Sequence, residues 1–165
     1  MIVVDSSTLI LLAKCECLDM FLEHFKNCII SEAVMVEAVK RKNSFDSALI
    51  EKRIQEGKIL VKKIKNYNAV AETMKAFGLE KGESETIVLA KELKAKAIAT
   101  DDGKAIKAMK ILETPFITAL AFVLEKHKTK KIDKEKITGI LQSLEKNGRY
   151  SKEIINFALK EVLNK

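Results

Sequence analysis

The chain has 165 residues, 47% of them hydrophobic, which is enough for one domain with a proper core. Lys+Arg number 30 against 23 Asp+Glu, giving a net charge of +7 and an isoelectric point near 9.2; that balance suits an anionic partner such as nucleic acid, and equally the Lys- and Glu-rich surface of a thermophile protein. No stretch approaches 18 uninterrupted apolar residues and the N-terminus enters a strand at once. Neither a membrane span nor a signal peptide is expected, and the location expected is cytoplasmic.

Ile2-Val3-Val4 reads as a short strand ending at Asp5, with Ser6-Ser7-Thr8 as helix-entry residues. A helix from Leu9 is interrupted near Cys17 and runs on to about Lys26. Cys28–Ile30 is a second strand, with Ser31 as cap of a helix Glu32–Arg41. A helix over about Phe45–Glu56 stops at Gly57, and Lys58–Ile64 is a third strand with a basic, exposed end. Residues 69–78 are helical with a stop at Gly78. Thr86–Lys94 places Ile87, Ala90 and Leu93 near helical spacing, and Lys96–Thr100 reads as a buried strand. Helix Lys104–Lys110 follows, then Ile111-Leu112 as a last strand and Pro115 at the start of a helix Phe116–Lys126. Beyond a lysine-dense segment, Lys126–Lys136, two amphipathic helices near 133–146 and 151–163 are separated by Asn147-Gly148. Alternating strands and helices predict a three-layer α/β/α fold with a mostly parallel central sheet. The expected organisation is a body over residues 1–128 and a C-terminal helical hairpin over 129–165 packed on it as one structural unit.

Cys15, Cys17 and Cys28 are odd in number and show no disulfide pattern. With His24 they make four residues of zinc-binding type, but they lack paired Cys-x-x-Cys spacing, and their apolar surroundings read as those of buried thiols. His127, among lysines, is expected to be solvated.

Chemistry concentrates between Gly82 and Gly103, where Glu83, Glu85, Asp101 and Asp102 bracket a helix and a strand. First-turn acids are favoured by the helix dipole, and Asp-Asp-Gly is ordinary turn chemistry. If the first strand and Lys96–Thr100 run parallel, however, Asp5 and Asp101-Asp102 leave the same sheet edge and face one crevice. Carboxylates gathered there raise one another's pKa unless a cation joins them. Mg²⁺ or Mn²⁺ prefers such oxygen ligands and keeps waters for a phosphate substrate, a combination that suits phosphodiester hydrolysis. Two other acid-site folds fit less well. Ser7 stands where aspartate-nucleophile phosphatases need their second acid, and no central phospho-acceptor Asp of a receiver domain is found.

Asp5-Ser6-Ser7, Val34-x-x-Glu37, Gly82-Glu83-Ser84-Glu85-Thr86-Ile87 and Thr100-Asp101-Asp102 resemble, in order and spacing, the motifs of the PIN-domain nucleases, including the VapC-like toxin ribonucleases. The Gly-Glu-x-Glu form with a C-terminal hairpin looks like an archaeal and bacterial branch. The resemblance implies a metal-dependent endoribonuclease with catalytic acids Asp5, Glu37, Glu85 and Asp102. The same acids, with Glu83 and Asp101, would hold Mg²⁺ or Mn²⁺. Ser7 and Thr100 would orient Asp5 and Asp102. It further implies RNA as substrate, an antitoxin protein as partner and a homodimer. Glu83 and Glu85 stand about 200° apart on a regular helix, so both can ligate only if Glu83 precedes it. Taken without the resemblance, Glu37 reads as a surface acid pairing with Arg41. Two readings therefore stand: a ribonuclease, or a non-catalytic nucleic-acid-binding or regulatory module on the same fold.

Overall fold

The computed structural model describes residues 1–40, 44–148 and 150–163. A five-stranded sheet is built from β1 (Ile2–Val4), β2 (Cys28–Ser31), β3 (Ile59–Lys62), β4 (Ala97–Ala99) and β5 (Phe116–Ile117), in the order β3-β2-β1-β4-β5. All four pairings are parallel, with Ile2 opposite Cys28 on one side of β1 and opposite Ala97 on the other. The expected three-layer α/β fold is thus observed.

Between β1 and β2 run α1 (Ser6–Lys14) and α2 (Leu18–His24), and between β2 and β3 run α3 (Glu32–Val39) and α4 (Phe45–Gln55). The return from β3 to β4 uses α5 (Tyr67–Phe77) and α6 (Lys81–Glu92), and α7 (Gly103–Ile111) leads to β5. The chain closes with α8 (Ala119–Lys128), α9 (Lys134–Asn147) and α10 (Lys152–Leu163). Strand alternation divides the core. Val4 and Ile30 face α1–α4 and the three C-terminal helices, while Val3, Ile29 and Ile98 face α5–α7. Strand order reverses direction between β1 and β4, and the crevice outside the carboxyl ends there is the place where open parallel sheets bind ligands.

Local chemistry explains most boundaries. Ser31 Oγ accepts the Val34 N–H at 3.2 Å and caps α3; Gly78, at φ +63°, ends α5 in the left-handed conformation. Both α9 and α10 bury apolar stripes (Ile137, Leu141, Leu144; Ile155, Ala158, Val162) in the same cluster as β1 and α1.

Several expectations change. Ile111 closes α7 and is no strand; the last strand is Phe116–Ile117. Proline is tolerated as the residue leading into an edge strand, and the β-prone Phe116-Ile117 pair follows it. Thr118 then caps α8 by accepting the Ala121 N–H at 3.2 Å. Helix α6 opens at Lys81, five residues ahead of the apolar run, because Glu80 and Glu83 form a capping box there. The lysine-dense segment is not wholly solvated. Lys126 is 7% exposed, its Nζ 2.6 Å from His24 Nδ1 and 5.2 Å from the Phe122 ring centroid. His127 is half-buried, with Nδ1 3.1 Å from the Ile132 carbonyl. Arg41, the expected end of α3 and partner of Glu37, lies outside the described residues. The three cysteines are buried, Cys17 Sγ donating to the Cys15 carbonyl and Cys28 Sγ to that of Phe25.

Candidate active site

Asp5 leaves β1 as the N-cap of α1, and Asp102 follows β4 as the N-cap of α7. The adjacency of β1 and β4 therefore brings the two acids to one edge. Asp102 Oδ1 accepts the N–H groups of Lys104 and Ala105 at 2.7 and 3.0 Å, which fixes its rotamer. Asp5 is 1% exposed. Its Oδ2 accepts from Ser7 Oγ at 2.6 Å and Thr100 Oγ1 at 3.2 Å, while Thr100 Oγ1 in turn accepts the Asp102 N–H at 3.2 Å. Both hydroxyls converge on Asp5, and Asp102 is tied to Thr100 through its backbone.

A cleft of about 300 Å³ opens above these residues. Asp5, Glu37, Glu83 and Asp102 line it, together with Glu80, Lys104, Ser6, Ser7 and Ile10. Glu37 comes from α3 and accepts from Ser6 Oγ at 2.7 Å. It lies so close to α6 that a Cβ on Gly82 would collide with both of its carboxylate oxygens. The glycine of the Gly-Glu-x-Glu motif thus makes room for the acid of another element. Glu83 sits at the third position of α6, with Oε2 accepting the Glu80 N–H at 2.9 Å.

Asp5, Glu37 and Glu83 have carboxyls that titrate above their ordinary range. Burial is the main cause at Asp5, opposed by its hydroxyl partners. Burial also raises Glu37, with the Asp5, Glu80 and Glu85 charges adding to it. Glu83 is pushed up to about 7, first by burial and then by the charges of Asp102 and Asp5. The cleft is therefore a place where negative charge is held against its own repulsion.

Two expected site acids lie elsewhere. Because α6 is regular from Lys81, Glu83 and Glu85 diverge, and Glu85 does not line the cleft. It is 3% exposed, accepts the Ala33 N–H at 3.2 Å at the start of α3, and lies 3.8 Å from Lys81 Nζ. Asp101 turns to the opposite side of the β4 terminus. Its carboxylate accepts from Thr8 Oγ1 at 2.6 Å, from the Ala119 N–H at 3.1 and 3.2 Å, and from the Tyr150 hydroxyl. Sequence reasoning missed Glu80 and gave Ser6 only a helix-entry role, not that of holding Glu37. The spacing Glu80-x-x-Glu83, a capping box, was the signal available for Glu80.

Among the described residues, no three Asp, Glu, His or Cys side chains close around a point as a metal cage would require. The donor set nevertheless fits a hard cation held partly by water. Such ions bind through one or two carboxylates and leave other positions to water and substrate phosphates. Asp5 Oδ1 is buried without a hydrogen-bond partner, the position a first ligand would take.

Fold and site together define an α/β domain with a carboxylate cleft at the switch point of a parallel sheet. The chain belongs to the PIN-domain family, whose model matches residues 1–164. PIN domains are generally nucleases that act on nucleic acids, typically with divalent metals. A search of curated proteins found no match. No helix among the described residues is long and apolar enough to cross a membrane.

Proposed function

We propose that the chain is a divalent-metal-dependent endoribonuclease using Mg²⁺ or Mn²⁺ held by Asp5, Glu37, Glu83 and Asp102. The observation that carries this reading is Asp5 Oδ1, a carboxylate oxygen buried and unpartnered on a residue that lines the cleft. A buried polar atom without a partner is costly, and a cation relieves that cost. When bound, the cation would activate a water and stabilise charge on the phosphate. Ser7 and Thr100 hold Asp5 Oδ2 so that Oδ1 stays turned away from them. Ser6 holds Glu37, and the α7 N-terminus holds Asp102. Lys104, at the cleft rim, is placed to meet a phosphate.

Asp101 and Glu85 are assigned to bracing the elements that carry the other acids. The non-catalytic reading is disfavoured, since an acid-lined cleft that holds no cation repels a phosphodiester backbone. A toxin role, with an antitoxin partner and a homodimer, rests on the sequence resemblance. It predicts growth arrest on expression that Asp5→Asn abolishes. The direct test is cleavage of single-stranded RNA by purified protein. Expected are cleavage with Mn²⁺ or Mg²⁺, its loss with chelator, and a loss of at least about 100-fold in Asp5→Asn, the scale seen when one charge-stabilising group is removed. Cleavage by Asp5→Asn at the parent rate would refute the site.

A further inference from the structure

We propose that Tyr150, in the turn between α9 and α10, is a positioning residue for the acidic cleft and acts through Asp101. The proposal rests on the nuclease reading above. Tyr150 is half-buried against the core, and its hydroxyl donates to Asp101 Oδ1 while accepting the Leu120 N–H at 3.2 Å. Burial, with the Asp101 charge beside it, pushes the phenol well above its usual range.

Asp101 lies between Thr100 and Asp102, inside the segment that orients the cleft acids. Its own N–H donates to Ser7 Oγ at 3.2 Å, and Ser7 Oγ donates to Asp5 Oδ2. Its side chain is held from three directions, by Thr8 on α1, by the N–H of Ala119 at the start of α8, and by Tyr150 from the hairpin. Of these anchors, Tyr150 alone belongs to the C-terminal hairpin. The peptide between Thr100 and Asp102 cannot rotate without breaking the Asp101 N–H bond to Ser7, which holds Asp5, or the Asp102 N–H bond to Thr100. A side chain that fixes Asp101 therefore fixes both cleft acids, although it touches neither.

The alternative is that Tyr150 only docks the hairpin, and Tyr150→Phe separates the two because it keeps the ring and removes the hydroxyl. The full chain is titrated with Mn²⁺ by calorimetry, and its kcat and KM are measured on a fluorogenic single-stranded RNA. Expected in Tyr150→Phe are a Mn²⁺ affinity and a kcat each lowered about tenfold, the low end of what losing a direct outer partner of a metal ligand costs, since Tyr150 acts one step further out, with KM for RNA unchanged. Asp101→Asn, which keeps an acceptor for Thr8 and Ala119 but loses the charge, should give the same pair of changes. Parent-like Mn²⁺ affinity and kcat in both variants, whatever happens to Tm, would overturn the proposal while leaving the nuclease reading intact. A parent protein that neither binds Mn²⁺ nor cleaves RNA would overturn both.

Discussion

Glu83 and Glu85 stand two residues apart on α6 and serve different neighbours. Glu83 closes the capping box with the Glu80 N–H and lines the acidic cleft. Glu85 is absent from the cleft lining and accepts the N–H of Ala33 at the start of α3. Glu83→Gln should therefore lower cation-dependent cleavage about 100-fold with the fold intact. Glu85→Ala should act mainly on stability. It removes a buried charged acceptor, which contributes about 1–3 kcal/mol, or several degrees of Tm at this chain length. Parallel cleavage assays and thermal melts check this; equal losses of activity without destabilisation would return Glu85 to the site.

The strand and helix pattern was legible because hydrophobic periodicity reports burial directly, and strand-end acids are meaningful once the strands are known to be parallel. Asp5 and Asp102 could be placed for that reason. The partition among the other acids could not. Whether Glu83 or Glu85 enters the cleft depends on where α6 begins, a capping detail hidden by the weak apolar signal of Lys81–Ser84. Asp101 and Asp102 are adjacent, so only the extended backbone after β4 decides which of them faces β1. Tyr150 lies 49 residues from Asp101 in sequence, and no local pattern announces their hydrogen bond.

Gly82 has a steric reason in the fold, the close approach of Glu37 to α6. Gly82→Ala should be nearly neutral for helix propensity or slightly favourable. Because the added methyl displaces the Glu37 carboxylate, cleavage should fall by at least about tenfold, since small misplacements of site groups are costly. A folded Gly82→Ala protein with full activity would show that Glu37 is not needed where it stands.

Lys104, Lys107 and Lys110 lie exposed on α7, which starts at Asp102, and Lys104 reaches the cleft rim. Each phosphate neutralised on single-stranded RNA contributes about 0.7 to the slope of log affinity against log salt. Charge reversal of Lys104 and Lys107 should weaken binding and reduce that slope by about 1.4 in magnitude. Binding titrations at several salt concentrations test this, and an unchanged slope assigns both lysines to an ordinary solvated face.

The Glu83 carboxyl is raised from its ordinary 4.5 to about 7, by burial first and by the Asp102 and Asp5 charges second. Between these values the folded chain binds more protons than the unfolded one, so unfolding releases protons and stability falls as pH rises through that window. Asp5 and Glu37 shift in the same direction. In chelator, Tm should therefore decline between about pH 5 and pH 8, and Glu83→Gln should flatten the decline. A divalent cation opposes the same repulsion, so Mn²⁺ should raise Tm more at pH 8 than at pH 5.5, where protons already occupy the acids. Thermal melts across this range, with and without Mn²⁺, decide the matter. A Tm that rises with pH in chelator would mean that the cleft acids are stabilised by partners within the chain and have no need of a cation.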